Sequence, residues 1–162
     1  MGKVYPRATM GYAFEFGDTS APERILARAQ LGERVEVVRV CAKDSTELTA
    51  EDRQALERAI AGSEEKRFVV AHGTDTMVQT GRGLEKTCLE RGATVVLTGA
   101  RVPEALKESD ADFNLGFAVA CAQLLGPGAY VAMNGRVVRC SEAERDEKTG
   151  IFFSTSKQEH LK

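Results

Sequence analysis

The chain has 162 residues, 22 basic and 24 acidic, and a formal net charge of -2. Such a balance offers no field to gather phosphate backbones or anionic lipid, so neither nucleic-acid nor membrane partners are expected. The length suits one domain able to bury a core without staples, and no apolar run reaches the roughly 18–20 residues that cross a bilayer. The opening MGKVYPRATMGYAFEFG lacks the apolar stretch of a secretory signal, so the expected location is cytoplasmic.

Residues 1–18 fit no helix; their Tyr, Phe and Gly content suggests an extended loop or hairpin turning at Gly11 and Gly17. Ser20 with Glu23 has the form of a capping box ahead of Ile25, Leu26 and Ala29, which predicts a first helix. Residues 35–40, VEVVRV, read as a strand. Thr49 with Asp52 opens a second helix carrying Ala55, Leu56, Ala59 and Ile60 and stopping near Gly62. Strands follow at residues 68–71, 94–98 and 130–133, separated by helices over about 76–91, stopped by Gly92, and 113–125, stopped by Gly126-Pro127-Gly128.

Alternating strands and helices of these lengths call for parallel strands joined by crossover helices. The expected architecture is therefore α/β, a flavodoxin-like three-layer α/β/α domain with a mostly parallel sheet over residues 1–153, followed by a surface tail at 154–162. Cys41, Cys88, Cys121 and Cys140 are widely spaced, without metal-binding intervals, and read as reduced structural thiols. With only His72 and His160, no multi-histidine metal centre is expected, and no cofactor is called for. A nucleophile here would depend on Lys, Tyr or a carboxylate for activation. No G-x-G-x-x-G or G-x-x-x-x-G-K-[ST] occurs, which weighs against a nucleotide or flavin site.

In an open α/β sheet, ligands bind beyond the carboxyl ends of the strands. Three polar clusters belong there. The strand at 68–71 delivers His72-Gly73-Thr74-Asp75-Thr76 into a helix start, the run at 35–40 delivers Lys43-Asp44-Ser45-Thr46, and the strand at 94–98 delivers Thr98-Gly99-Ala100-Arg101. A further loop carries Ser109-Asp110-Ala111-Asp112-Phe113-Asn114. Each cluster has a plain structural reading: Thr74 or Asp75 can cap the following helix, Asp44-Ser45 can form a turn, and 109–114 can be a solvated loop and cap. Each also brings hydroxyls, carboxylates and backbone N–H groups to one end of the sheet.

Taken in order and spacing, Asp44-Ser45-x-x-Leu48-Thr49, His72-Gly73-Thr74-Asp75-Thr76-Met77, Thr98-Gly99-Ala100-Arg101 and Asp110-x-x-x-Asn114 resemble the N-terminal domain of bacterial-type L-asparaginases, and most of all short single-domain relatives. The resemblance covers about residues 3–153. It implies an amidohydrolase that converts L-asparagine or a related small amide to L-aspartate and ammonia, in a chain that assembles as a homo-dimer or tetramer. It makes Thr74 a catalytic threonine and Asp75 the partner of the substrate's α-ammonium. Ser45, with nearby backbone N–H groups, would hold the α-carboxylate, Asp44 and Gly73 would also bind substrate, and Ala100 would face the side-chain amide through its backbone. The family brings a lysine to the catalytic threonine. Here that position falls on Arg145 without a gap or on Lys148 with a small insertion, and Lys148 is the better base because a guanidinium keeps its proton.

The family also opens with an apolar strand ending T-G-G-T-I, whose last threonine attacks, followed by a loop tyrosine. Tyr12 is the better match to that tyrosine and Tyr5 the second. Met1 aligns just past the threonine, so the first strand and its nucleophile have no counterpart in these residues. A longer protein upstream, a strand donated by another chain, direct pairing of the remaining strands and a degenerate product each account for this. Weak or absent turnover is expected, and a non-catalytic amino-acid-binding or regulatory domain is the alternative function.

Overall fold

The computed structural model describes residues 3–4, 15–16, 19–32 and 34–156. Strand β1, Lys3–Val4, pairs antiparallel with β2, Glu15–Phe16, as the hairpin reading of the first eighteen residues anticipates. Helix α1, Ala21–Ala29, and helix α2, Ala50–Gly62, both begin with complete capping boxes. In the first, Ser20 and Glu23 satisfy each other's backbone; in the second, Thr49 and Asp52 do so.

The sheet carries β3, Arg67–Ala71, β4, Thr94–Thr98, β5, Gly128–Met133, and β6, Arg136–Arg139, in that spatial order. The first three are parallel and β6 returns antiparallel to β5. Helix α3, Met77–Arg91, crosses from β3 to β4 and helix α4, Ala111–Leu124, crosses from β4 to β5. A last hairpin pairs β7, Ala143–Arg145, with β8, Phe152–Ser154.

β4 is buried along its whole length, and alternation divides it between two cores. Val95 and Leu97 pack with Ile60 of α2 and with Met77, Leu84 and Cys88 of α3. Val96 packs with Ala118, Cys121 and Ala122 of α4, while Ile25 of α1 meets Ala111 and Leu115 of α4. Helices therefore cover both faces, giving the expected three layers. Burial pushes the Cys88 thiol up to about 11 and the Cys140 thiol up to about 12, as suits inert core sulfurs. Cys41, by contrast, is exposed.

Residues 35–40 depart from expectation. They form no strand, and Val35, Val37, Val38 and Val40 are all exposed, Val38 at 65%. β-branched residues favour a pleated, half-buried surface, and that preference is realised only where a partner edge and a covering layer exist. Among the described residues β3 pairs on one edge only, with β4, and the valine run does not join its open edge and has no covering layer. β5 begins two residues before the expected strand, and β6, β7 and β8 were not anticipated, being strands of three or four residues without clear alternation. Packing continues past residue 153, since Ser154 and Ser156 both donate to the Glu142 carboxylate.

α1 buries only Ala21 and Ile25, and ion pairs supply the rest of its anchorage. Arg24 donates to Glu104 at 2.8 and 2.6 Å, and Arg28 donates to Glu104 at 2.9 Å and to Asp112 at 2.9 and 2.8 Å. Burial alone would raise the Glu104 carboxyl, but its bonds from Arg24 and Arg28 outweigh this and hold it below the usual value of 4.5. A depressed carboxylate stabilises the fold above its unfolded pKa and loses that contribution as pH falls through its folded pKa. Chemical denaturation of Glu104→Gln should therefore show lower stability than the parent at neutral pH, with the difference shrinking below about pH 4. A constant difference from pH 7 to pH 3 would contradict this.

The tightest helix–sheet approach is at Gly81 of α3. A Cβ there would collide with Cys140 Sγ and lie 3.0 Å from Cys140 Cβ and 3.1 Å from Leu97 Cδ1. Overpacking of this kind costs about 1–3 kcal/mol, so Gly81→Ala should lower the urea midpoint accordingly. Adding Cys140→Ala should recover part of that loss, because the sulfur is the atom struck first.

Candidate functional site

The parallel register pairs Ala71 with Thr98, so the chain leaves β3 and β4 side by side. His72 N donates to Thr98 O at 2.8 Å and carries the pairing one residue further. The turn at residues 72–76 and the loop at 99–101 therefore emerge together at the carboxyl end of the sheet. Thr74 is near Gly99, its Cγ2 lying 3.6 Å from where a Cβ on that glycine would be.

His72 holds the turn from below. Arg53 Nε donates to Thr80 Oγ1 at 3.2 Å, and Thr80 Oγ1 lies 2.9 Å from His72 Nε2. On the other side His72 Nδ1 lies 2.6 Å from Gly73 O. A carbonyl can only accept, so Nδ1 carries the proton and Nε2 accepts from Thr80. Burial pushes the imidazole pKa down and keeps this neutral tautomer, which makes His72 a positioning residue for Gly73. Thr80 and Arg53 complete this chain; neither has a sequence signal, because the contacts join α2, α3 and the turn only in three dimensions.

Ser45 faces the same turn. It is 2% exposed, and its Oγ is buried with no hydrogen-bond partner. A Cβ on Gly73 would lie 2.6 Å from that oxygen, so only glycine admits this approach. Thr76 Oγ1 donates to Ser45 O at 2.7 Å and fastens the two segments. Asp44 caps the short 3-10 turn Ser45–Glu47 by accepting from Thr46 N at 3.1 Å.

The helix-cap reading of Thr74 and Asp75 is not realised. The N-cap of α3 is Thr76, which makes no side-chain cap bond. Asp75 instead pairs with Arg145, Oδ1 to Nη1 at 3.1 Å. Thr74 is half-buried, and no hydrogen bond to its hydroxyl is formed among the described residues.

The loop after β4 is braced by Asn114. Its Nδ2 donates to Gly99 O at 3.0 Å and Asp110 Oδ2 at 2.8 Å, and its Oδ1 accepts from Asn134 N at 2.9 Å. Asp110 in turn accepts from Arg101 N at 3.0 Å and Val102 N at 3.1 Å. Ala100 is thereby held beside α1, against Ile25 and its neighbours.

The structure thus brings together Asp44, Ser45, Gly73, Thr74 and Asp75 beyond the end of β3, with Ala100 in the neighbouring loop after β4. Of the two residues considered for the lysine position, Arg145 stands at Asp75, whereas Lys148 is exposed in the β7–β8 turn. There the Asp146 carboxylate takes Lys148 N at 2.9 Å and Thr149 N at 2.7 Å. Tyr5 and Tyr12 lie outside the described residues. No group of three His, Cys, Asp or Glu side chains suited to a metal occurs among the described residues, and no helix there is long and apolar enough to cross a membrane.

A family model described as asparaginase, N-terminal, matches residues 7–158. L-asparaginase of Thermococcus kodakarensis is 29% identical over 147 residues, covering 90% of this chain and 45% of that protein. A probable periplasmic L-asparaginase of Haemophilus influenzae is 37% identical over 87 residues, 52% of this chain and 25% of that one. Among solved structures, the thermostable L-asparaginase from Thermococcus kodakarensis superposes with a TM-score of 0.79 at 29% identity, over 94% of this chain and 47% of that one. L-asparaginase I from Vibrio cholerae does so with a TM-score of 0.61 at 30% identity, over 70% and 36%. The chain spans about half the length of the Thermococcus relative and less of the others. Matched by that model along almost its whole length, the chain belongs to the asparaginase family through its N-terminal domain.

Proposed function

We propose that the cluster of Ser45, Gly73, Thr74, Asp75 and Ala100 at the carboxyl end of the sheet is the amino-acid site of an asparaginase-type amidohydrolase, acting on L-asparagine or a related small amide. The observation that carries this reading is the Ser45 hydroxyl, buried and unpartnered against Gly73. A buried polar group costs free energy unless something bonds it, and a ligand carboxylate at this position would accept its proton. The uncapped start of α3 adds backbone N–H groups and the positive end of the helix dipole beside it. Asp75 would hold the α-ammonium by a charge-assisted bond.

In the hydrolytic reading a threonine hydroxyl attacks the amide carbon, ammonia leaves with the proton transferred to it, and water cleaves the acyl ester to the free acid. Thr74 serves as a catalytic threonine in that scheme, with Tyr12 as the loop tyrosine and Lys148 as the amine that takes its proton. One observation favours the second reading, a non-catalytic amino-acid-binding domain. The charged side chain placed at Asp75 is Arg145, and a guanidinium does not accept a proton.

Calorimetry with L-aspartate and L-asparagine, together with an ammonia-release assay, tests the two. Ser45→Ala should weaken ligand binding by about tenfold, the equivalent of losing one hydrogen bond to a charged group. Unchanged affinity in that variant would remove Ser45 from the site. Any ammonia release by the parent should disappear in Thr74→Val while binding persists; release that survives the substitution would remove Thr74 from the chemistry.

A further inference from the structure

The β7–β8 turn brings two guanidinium groups to one place. From the point that a Cβ on Gly150 would occupy, Arg145 Nη2 lies 3.6 Å away and Arg101 Nε 3.7 Å. Arg145 commits Nη1 to Asp75, and its Nε is shielded from solvent without an acceptor. Among the described residues no side-chain or backbone oxygen accepts from the Arg101 guanidinium, whose backbone N–H is held by Asp110.

Other carboxylates lie nearby and keep their charge, but they bond other groups or neither arginine. Asp110 serves the backbone of Arg101 and Val102 and the amide of Asn114. Asp146 serves the backbone of its own turn. Glu144 precedes Arg145 on β7, is exposed, and makes no ion pair with either arginine. Among the described residues Asp75 is the one carboxylate that accepts from either guanidinium, so donors of both arginines stay open. Open donors on two neighbouring guanidinium groups favour a bound anion, and their planar forks suit the two oxygens of a carboxylate.

Arg145 touches the proposed amino-acid site through Asp75, and Arg101 follows Ala100 in the loop after β4. We infer that Arg101 and Arg145 form a carboxylate subsite, so that the preferred ligand of this chain is a small acidic amino acid of the aspartate type rather than the corresponding amide. An amide offers these donors one oxygen and sets its own NH2 donor against them; a carboxylate offers two charged acceptors. The inference rests on the amino-acid site proposed above and specifies its ligand.

The experiment is titration calorimetry of the whole chain with L-aspartate and L-asparagine at two salt concentrations, for the parent and for Arg101→Gln. Arg101 is exposed and engages no side chain, and circular dichroism checks that the variant stays folded. Aspartate should bind the parent about tenfold more tightly than asparagine at low salt, with the preference falling as salt rises. Arg101→Gln should reduce that preference severalfold, and Arg101→Lys should restore part of it. Equal or tighter binding of asparagine by the parent, or a preference unmoved in Arg101→Gln, would overturn the subsite while leaving the amino-acid site standing. Binding of neither ligand would overturn both.

Discussion

The carboxyl end of the sheet depends on one buried amide. Asn114 is fully buried and bonds to three segments: the β4 loop through Gly99, the α4 cap through Asp110, and the β5–β6 turn through Asn134. Because Asp110 then holds the N–H groups of Arg101 and Val102, a single side chain determines where the loop after β4 can go. A buried network that is fully satisfied is rigid, whereas one missing a member leaves several polar groups uncompensated. No neighbouring residue type could replace it, since the position requires a donor group and an acceptor in one short planar unit.

A second network does the same for the turn after β3. The chain from Arg53 through Thr80 to His72 and Gly73 is ordered by acceptor logic: the carbonyl fixes the imidazole tautomer, and the tautomer fixes the direction of the Thr80 proton. Burial lowers the His72 pKa and so protects that order at neutral pH. The consequence is a Gly73 positioned closely against Ser45, where a methyl group would not fit. The two networks meet where β3 and β4 end, and they leave unused the Ser45 hydroxyl, the Thr74 hydroxyl and the Arg101 guanidinium, the groups on which the proposed ligand site draws.

Much of this was legible in the chain itself, for reasons that are local. Capping boxes at Ser20 and Thr49 and the stop at Gly92 are short-range backbone chemistry, and each appears where its residues require. The His72–Thr76 segment was legible as a turn at the carboxyl end of the sheet because it follows an apolar strand and precedes a helix. What failed was non-local. VEVVRV has the composition of a strand, yet pairing needs an edge and burial needs a cover, and neither is written in six residues. The cap reading of Thr74 or Asp75 failed for the same reason: the N-cap is Thr76, and its hydroxyl goes to Ser45 O, thirty-one residues away, instead of to its own helix. β6 to β8 escaped notice because such short strands exist only by pairing with one another and with β5.

The position beside Asp75 shows how a small difference in register carries chemical weight. Arg145 ends β7, paired with Phe152, and strand alternation directs its side chain toward Asp75. Lys148 lies three residues on, inside a turn closed by Asp146 N to Ile151 O at 2.9 Å and Gly150 N to Asp146 O at 2.7 Å. The Asp146 carboxylate adds its bonds to Lys148 N and Thr149 N, and among the described residues the Lys148 amine itself makes no hydrogen bond or ion pair. A neutral lysine beside Asp75 could take a threonine's proton; an arginine holds its proton and offers a fork of donors instead. The contact at Asp75 is therefore one that holds charge, and it is on this contact that the proposed binding reading rests.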